Sequence, residues 1–545
     1  MASRLNNTIQ YIITGSSSFI IPFIIFICAT IYFVWPSTFS LYDFPLDDAW
    51  INRVYSRSFA FGHGFQYNSG TQEAGSTSPL WAIITAPAHW LEPFGARAVV
   101  VGVKIIGVIL GLTSLVVIQK ISGVLTGSQK IGVIAASFFA IEPRFLFSVF
   151  SGMETTLLVT LWLSASYAFI VQRWLFSFIL FSMTPVTRPE ALVILPLCIL
   201  GLLIIFVGRR GSISTQPIIW IVPWLPMLLW SGFCKYTNGH WLPNTFYLKA
   251  RPFHLDWHEI SVAWQAVSQH GFASLLIFFI GMGAYLAWIF VRRDFISKSS
   301  LLFLIIAPVI YLIGVVSTRR VILDGYYWTR WVDPASLLLT IPFCIGYSII
   351  LMVSIDFQKL IVTTLPRTFK NYQILFVFFT WCGLAGLIYS SPLFAKSFFD
   401  RRTHLASDSR ATHLINVQTG LWIKENTPLS ATIGVNDAGA IRYFGKRRTI
   451  DLLGLNSADI AFGKIRFDTI FYEIEWLAIF PLWFEGNMTN FIEKHFEKRK
   501  VFHIPLEEYT ICNCPSQTTK VIYKKKKSTN SSLINDLTVV QEFSE

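Results

Sequence analysis

Two adjacent carboxylates, Asp47 and Asp48, open the polar stretch FPLDDAWINRVYSRSFAFGHGFQYNSGTQEAGSTSPLW. Side by side they repel, which keeps one of them proton-avid. Such a carboxylate suits a general base that takes a proton from a hydroxyl. The alternative is a plain helix start, one Asp capping and the next favouring the dipole. Downstream, Arg53, Tyr55 and Arg57 recur with helical spacing, and His63 sits in a sharp Gly-His-Gly turn. There His63 either meets substrate or stabilises the turn. A loop this polar and glycine-rich is costly to order, which points to binding rather than spacing.

The elements that must position these residues are set by lipid. The chain has 545 residues, 53% hydrophobic and only 14% charged, with a mean hydropathy of +0.53. Soluble domains carry about 25% charged residues. Apolar runs of roughly 17–25 residues predict about eleven membrane spans, near 18–36, 98–118, 131–149, 155–172, 174–187, 190–208, 216–234, 271–291, 300–317, 333–354 and 373–391. The predicted fold class is an α-helical polytopic membrane protein with a small C-terminal α/β domain. Residues 1–392 form the transmembrane module with its first outer loop at 37–97, residues 393–520 the soluble domain, and 521–545, with KKKKSTNSS, a disordered tail. Within the soluble domain ATIGVND and RRTIDLL read as short strands and 485–500 as a charged helix. Segment 78–92 is too short and too rich in proline for a span, and reads as an interfacial helix.

Basic residues orient the spans. With the N-terminus in the cytoplasm, Lys120, Lys130, Arg173, Arg209, Arg210, Arg292, Arg293, Lys298, Lys359, Arg367 and Lys370 all fall on that side. The acid pair and the C-terminal domain then lie outside. The net charge of +13 belongs largely to these short loops, so nucleic acid is not expected as a partner. Cys512 and Cys514 fit neither a zinc ribbon nor a thioredoxin motif.

Several segments resemble the GT-C superfamily of polyprenyl-phosphate-sugar glycosyltransferases, nearest its mycobacterial arabinofuranosyltransferase-like branch. They are DDAWI, GHGFQYN and STSPLW in the first loop, SGMETTL at 151–157, TRPEAL at 187–192, WLPNTFYLKA at 241–250, TRRVILDGYYWTRW at 318–331 and NDAGAIRYFGKRRTIDLLGLNS at 436–457. The resemblance implies sugar transfer, possible furanose included, from a polyprenyl-phosphate donor to a cell-envelope glycan or lipid, on the outer face of a bacterial inner membrane. It implies Asp47 as catalytic base, Asp48 as its neighbour or a hydroxyl or metal contact, and Glu154 as the second acid of the fold. Otherwise Glu154 favours the dipole of the following helix.

A lipid phosphate needs cations as its charge grows on leaving, and Arg pairs two oxygens at once. The outward loops offer Arg330, Arg188, Lys249, Arg320 and Arg319. Snorkelling to headgroups is the alternative for each. Arg188 and Glu190, flanking Pro189, can also pair with each other. Asn244, Tyr247 and Tyr327 can meet sugar hydroxyls, or, for the tyrosines, anchor the interface. No cofactor is fixed by the sequence; a divalent cation at the acid pair is possible, although a fuller ligand set for Ca²⁺ is lacking. The competing readings are a lipid-linked-sugar flippase or transporter and a non-catalytic envelope assembly protein. The enzymatic reading requires Asp47 to meet Arg330 and Arg188 around a lipid phosphate.

Overall fold

The computed structural model describes residues 19–526, except 36, 198, 201–220, 222–223, 269–274, 293, 320, 322–324, 364–391, 393, 466, 485–486 and 513. In lipid a spanning backbone must satisfy its own N–H and C=O groups, so the apolar runs become helices. Helix α1 (Ile20–Val34) is followed, after a bend of 115°, by Thr38–Ala60. The second part of that stretch is α2 (Asp47–Ala60), which buries Trp50, Arg53 and Tyr55 and lies in the first outer loop. A short helix, Pro79–Thr85, and a 3-10 turn, Ala86–Phe94, come next. The latter exposes Trp90, Leu91 and Phe94 while burying His89, as a segment resting on a membrane surface should.

Helix α3 (Ala96–Thr126) is long and apolar enough to cross a membrane, and so are α5 (Phe295–Thr318) and α6 (Asp333–Val353). Between them α4 (Thr155–Ile170) is apolar but shorter. Among the described residues three helices pass as spans, or five if two bent pairs each count as one; eleven are not established. The run at 131–149 is broken into Gln129–Ala140 and Pro143–Phe150, 63° apart, because proline cannot continue the hydrogen-bond ladder. The run at 174–187 closes as the nine-residue helix Trp174–Ser182. Residues expected to form 373–391, much of 190–208 and the start of 216–234 lie outside the described residues.

The C-terminal domain is a five-stranded sheet of order β2-β1-β3-β5-β4. Strands β1 (Thr432–Val435), β2 (Arg448–Asp451) and β3 (Trp476–Ile479) run parallel. Strands β4 (Phe496–His503) and β5 (Thr519–Lys525) close the sheet antiparallel. The two strands expected at ATIGVND and RRTIDLL are β1 and β2. The charged helix expected over 485–500 is described only as Asn487–His495, since Phe496 onward pairs with β5. β5 also carries the ordered domain past the boundary drawn at 520; residues 527–545 lie outside the described residues.

The carboxyl ends of β1 and β2 meet the first outer loop, the side where open α/β sheets place ligands. Along the edge strand β2 the Asn68 side chain pairs with the Thr449 backbone, donating at 2.8 Å and accepting at 3.0 Å. Tyr67 Oη donates to the Ala438 carbonyl at 2.7 Å. After β1 comes α7 (Ala440–Gly445), whose Tyr443 and Phe444 rings pack on Trp50 of α2.

Candidate active site

Consecutive residues of a helix point about 100° apart, so Asp47 and Asp48 in the first turn of α2 face different neighbours. Asp47 faces the C-terminal domain. Its Oδ2 accepts the Gly439 N–H at 2.7 Å and its Oδ1 the Ala440 N–H at 2.9 Å. Burial, then the Asp437 charge, pushes its carboxyl up to about 7, against the pull of Lys520 and the two N–H donors. Asp437 is itself held by Asn416 at 2.9 Å and Lys520 at 3.1 Å. A Cβ on residue 439 would collide with Asp47, so this contact needs glycine.

Asp48 faces a pocket of about 50 Å³. Its Oδ2 lies 2.8 Å from Arg330 Nη2 and 3.3 Å from Lys249 Nζ. Burial alone would raise this carboxyl; the Arg330 and Lys249 charges outweigh it and hold it down at about 2. Thus Asp48, not Asp47, meets Arg330: the requirement drawn from the sequence, Asp47 against Arg330 and Arg188, fails as stated, and its neighbour stands in the place expected of the base. Asp47 does not line the pocket.

The other acids of the pocket are paired too. Glu154 Oε1 accepts Arg188 Nε at 2.7 Å, and Arg188 Nη1 donates to the Arg330 carbonyl at 3.1 Å. Arg188 therefore braces the residue that holds Asp48. Glu190 pairs with Arg319 at 2.9 Å, so Arg188 and Glu190 take separate partners rather than each other. Two buried nitrogens of the pocket cations, Arg330 Nη1 and Arg319 Nη1, and the carboxylate oxygen Glu154 Oε2 have no hydrogen-bond partner. The Arg330 guanidinium also sits 4.3 Å from the Tyr327 ring centre and 4.8 Å from that of Trp331, a cation–π cradle.

The structure thus brings Asp48, Glu154, Arg188, Lys249, Arg319 and Arg330 to one pocket. Tyr327 acts on it through Arg330. Asn244 is buried beside it, its backbone N–H on the Ala74 carbonyl at 3.1 Å and its Oδ1 accepting Asn238 Nδ2 at 2.7 Å. Tyr247 packs against His240 and Phe462 and is not among the lining residues. His63 belongs to a second pocket. Arg320 lies outside the described residues. Sequence reading missed Asn52, Thr245 and Asn456, all lining the pocket. Asn52 had a signal, one helical turn beyond Asp48. Asn456 had none: Asp451 holds it at 2.9 Å and Tyr55 Oη donates to it at 3.0 Å, contacts that only the folded chain creates.

A divalent ion prefers a cage of free oxygens. Here Asp48, Glu154 and Glu190 are each paired to a cation, so the donor set does not fit such an ion. Among the described residues His254, Asp256 and Glu259 place ligand atoms within 4.8 Å of one another, away from the lining of this pocket.

A family model described as a domain of unknown function (DUF8728) matches residues 404–529. No curated protein matches the chain by sequence. Among solved structures, the oligosaccharyltransferase AglB from Archaeoglobus fulgidus, in complex with an inhibitory peptide and a dolichol-phosphate, has a TM-score of 0.52 at 13% identity, covering 94% of this chain and 74% of that one. The apo form of the Archaeoglobus fulgidus oligosaccharyltransferase has a TM-score of 0.55 at 12% identity, covering 94% and 75%. ArnT from Cupriavidus metallidurans, bound to undecaprenyl phosphate, has a TM-score of 0.52 at 12% identity, covering 93% of this chain and 98% of that one. At these identities the likeness establishes the fold alone: the chain shares its overall fold, helical part and C-terminal domain together, with these solved proteins.

Proposed function

We propose that the chain is an inverting glycosyltransferase that moves a sugar from a polyprenyl-phosphate donor to a cell-envelope glycan or lipid, at the extracytoplasmic face of a bacterial inner membrane. The observation that carries this reading is Asp48 shared between Arg330 and Lys249 inside the pocket. Two of the neighbours were solved with a dolichol-phosphate and with undecaprenyl phosphate, ligands whose charge these cations suit.

In this reading the donor phosphate draws Arg330 and Lys249 toward itself. Asp48 loses the charges that hold it down, and burial raises its proton affinity. The acceptor hydroxyl oxygen then bonds to the anomeric carbon, the bond from that carbon to the phosphate oxygen breaks, and the hydroxyl proton passes to Asp48. The leaving lipid phosphate goes from one negative charge to two, which Arg330, Lys249 and Arg319 meet. Arg188 keeps Arg330 in place. The sugar in the finer form of the proposal is a furanose such as arabinofuranose, on the strength of the sequence resemblance.

Mass spectrometry of surface glycans tests this in a deletion strain complemented with wild-type protein or with Asp48→Asn. The expected result is one glycan product restored by the first and not by the second at equal expression. Restoration by Asp48→Asn removes the enzymatic reading.

A further inference from the structure

A second pocket, of about 230 Å³, opens at the far end of α2. Asp48 and Arg57 are nine positions apart, about 14 Å along the helix, and the two pockets share no lining residue. Its walls come from the end of α2, the loop after it and α7 of the C-terminal domain. None of them belongs to the three helices long enough to cross a membrane.

Charge is its first property. Arg57, Arg442 and His63 line it, and no carboxylate does. Arg57 is bidentate to Glu92, at 2.8 Å for both contacts, so its charge is met. Arg442 is different. Its Nε donates to the Tyr67 carbonyl at 2.9 Å, and it has no carboxylate partner among the described residues. Burial and the nearby Arg57 charge push its guanidinium down from the usual range. A second cation held beside a neutralised one, in a pocket without an acid, calls for an external anion.

Shape and surface chemistry narrow the anion. The volume far exceeds what an inorganic ion fills. Phe61, 49% exposed, offers a ring face, the buried Tyr67 and Tyr443 back the wall, and Ser58, Gln66 and Ser69 offer hydroxyl and amide groups. A ring beside hydroxyl and amide partners suits a sugar's apolar face and its hydroxyl edge.

We infer that this second pocket binds an acidic saccharide, a sugar bearing a carboxylate or phosphate, as a remote anchoring subsite for the acceptor glycan. The inference rests on the proposed function, since the saccharide is part of the acceptor. Arg442 takes the anionic group, the Phe61 ring stacks on the sugar, and Ser69 and His63 form the exposed rim.

The test is calorimetric titration of the full chain, purified in detergent, with a hyaluronan tetrasaccharide and with neutral chitotetraose. The acidic probe is expected to bind at least 10-fold tighter. Arg442→Gln should weaken it at least 10-fold. Because Arg442 also braces Tyr67, a rim variant serves as the second arm: Ser69→Asp, at an exposed position, should weaken the acidic probe by a similar factor and leave the neutral one unchanged. Asp48→Asn should bind the acidic probe like wild type. That keeps the two failures apart: failure of Asp48→Asn to abolish transfer strikes the proposed function and the acceptor role resting on it, but not saccharide binding at this pocket. Equal binding of both probes, or indifference of the acidic probe to Arg442→Gln and Ser69→Asp, overturns the inference. So does equally tight binding of inorganic phosphate alone, or displacement of the tetrasaccharide by phosphatidylglycerol vesicles with no loss in the two variants.

Discussion

Asp48 and Asp47 differ by one position and by what they touch, and their variants should differ in kind. Asp48 faces the pocket with two cations on it. Losing a general base typically costs about 10²–10⁴ in rate, so Asp48→Asn should lower transfer by that order, with a loss of thermal stability smaller than that of Glu154→Gln because Asp48 is 23% exposed. Arg330 meets one oxygen of Asp48 directly and is cradled by two rings. Arg330→Lys keeps the charge but loses the planar fork and the stacking. Its turnover should fall, by about 10²-fold if Arg330 contributes as a typical charge-stabilising donor does, with a smaller change in donor affinity; kinetics on a purified donor measures the split. Unchanged turnover in Arg330→Lys removes the fork from the mechanism. Glu154 and Arg188 form a buried pair, 3% and 5% exposed. Removing one member of such a pair costs about 3–5 kcal/mol, because the other charge is left buried alone. Glu154→Gln should therefore unfold at markedly lower temperature, and Glu154→Gln with Arg188→Gln should recover part of the loss. If the double variant recovers stability but not transfer, Arg188 is needed for positioning Arg330; if Glu154→Gln keeps full stability and loses transfer, Glu154 acts on substrate instead.

At the scale of elements, the first turn of α2 is a joint between the helical module and the C-terminal domain. The Asp47 carboxylate is bound by two amides of the Gly439–Ala440 segment, and the same turn aims Asp48 at the pocket. A methyl at residue 439 would strike both the carbonyl and the carboxylate of Asp47. Overpacking of this kind costs about 1–3 kcal/mol. Gly439→Ala should then reduce transfer although residue 439 does not line the pocket, and limited proteolysis should cut the junction of the two parts faster than in wild type. Normal proteolysis with normal transfer would mean that the joint tolerates the methyl. Sequence reading saw the acid pair and the NDAGA segment separately. Their meeting spans about 390 residues of chain and is a property of the assembled fold. Repulsion within the pair left open which acid stays proton-avid, and the resemblance put the base at Asp47; in the fold adjacent helical residues diverge, and each carboxylate finds its own partners.

Across the whole molecule, what was legible is what local pattern and chemistry encode. The apolar runs gave helices, Arg188, Arg319 and Arg330 converge on one pocket, and the β1 and β2 patterns became strands. Span count was less legible, because Pro143 breaks one run and others close early, and hydropathy does not register a bend. Pairing choices such as Arg188 with Glu154 depend on three-dimensional neighbours and left no trace in spacing. The assembled fold also carries a collective titration. Burial raises Asp47 to about 7, Glu73 to about 7, Asp408 to about 8 and Asp451 to about 6. Each folded value lies above the unfolded one, near 4, so the folded chain holds protons that the unfolded chain releases. Their contribution is fully present below about pH 4 and is lost as pH rises through about 6–8. Asp408 shows why: Oδ1 accepts the Thr510 N–H and hydroxyl, both at 2.8 Å, while Oδ2 is buried with no partner, so the ionised form is left partly unsolvated. Thermal unfolding of the full chain in detergent, scanned from pH 5.5 to 8.5, should show this part of the stability falling with pH. Asp408→Asn, neutral throughout, should flatten that slope and gain on wild type at the alkaline end. A slope equally steep in Asp408→Asn would mean that this carboxyl ionises as easily folded as unfolded, and that Thr510 solvates it better than its buried oxygen implies.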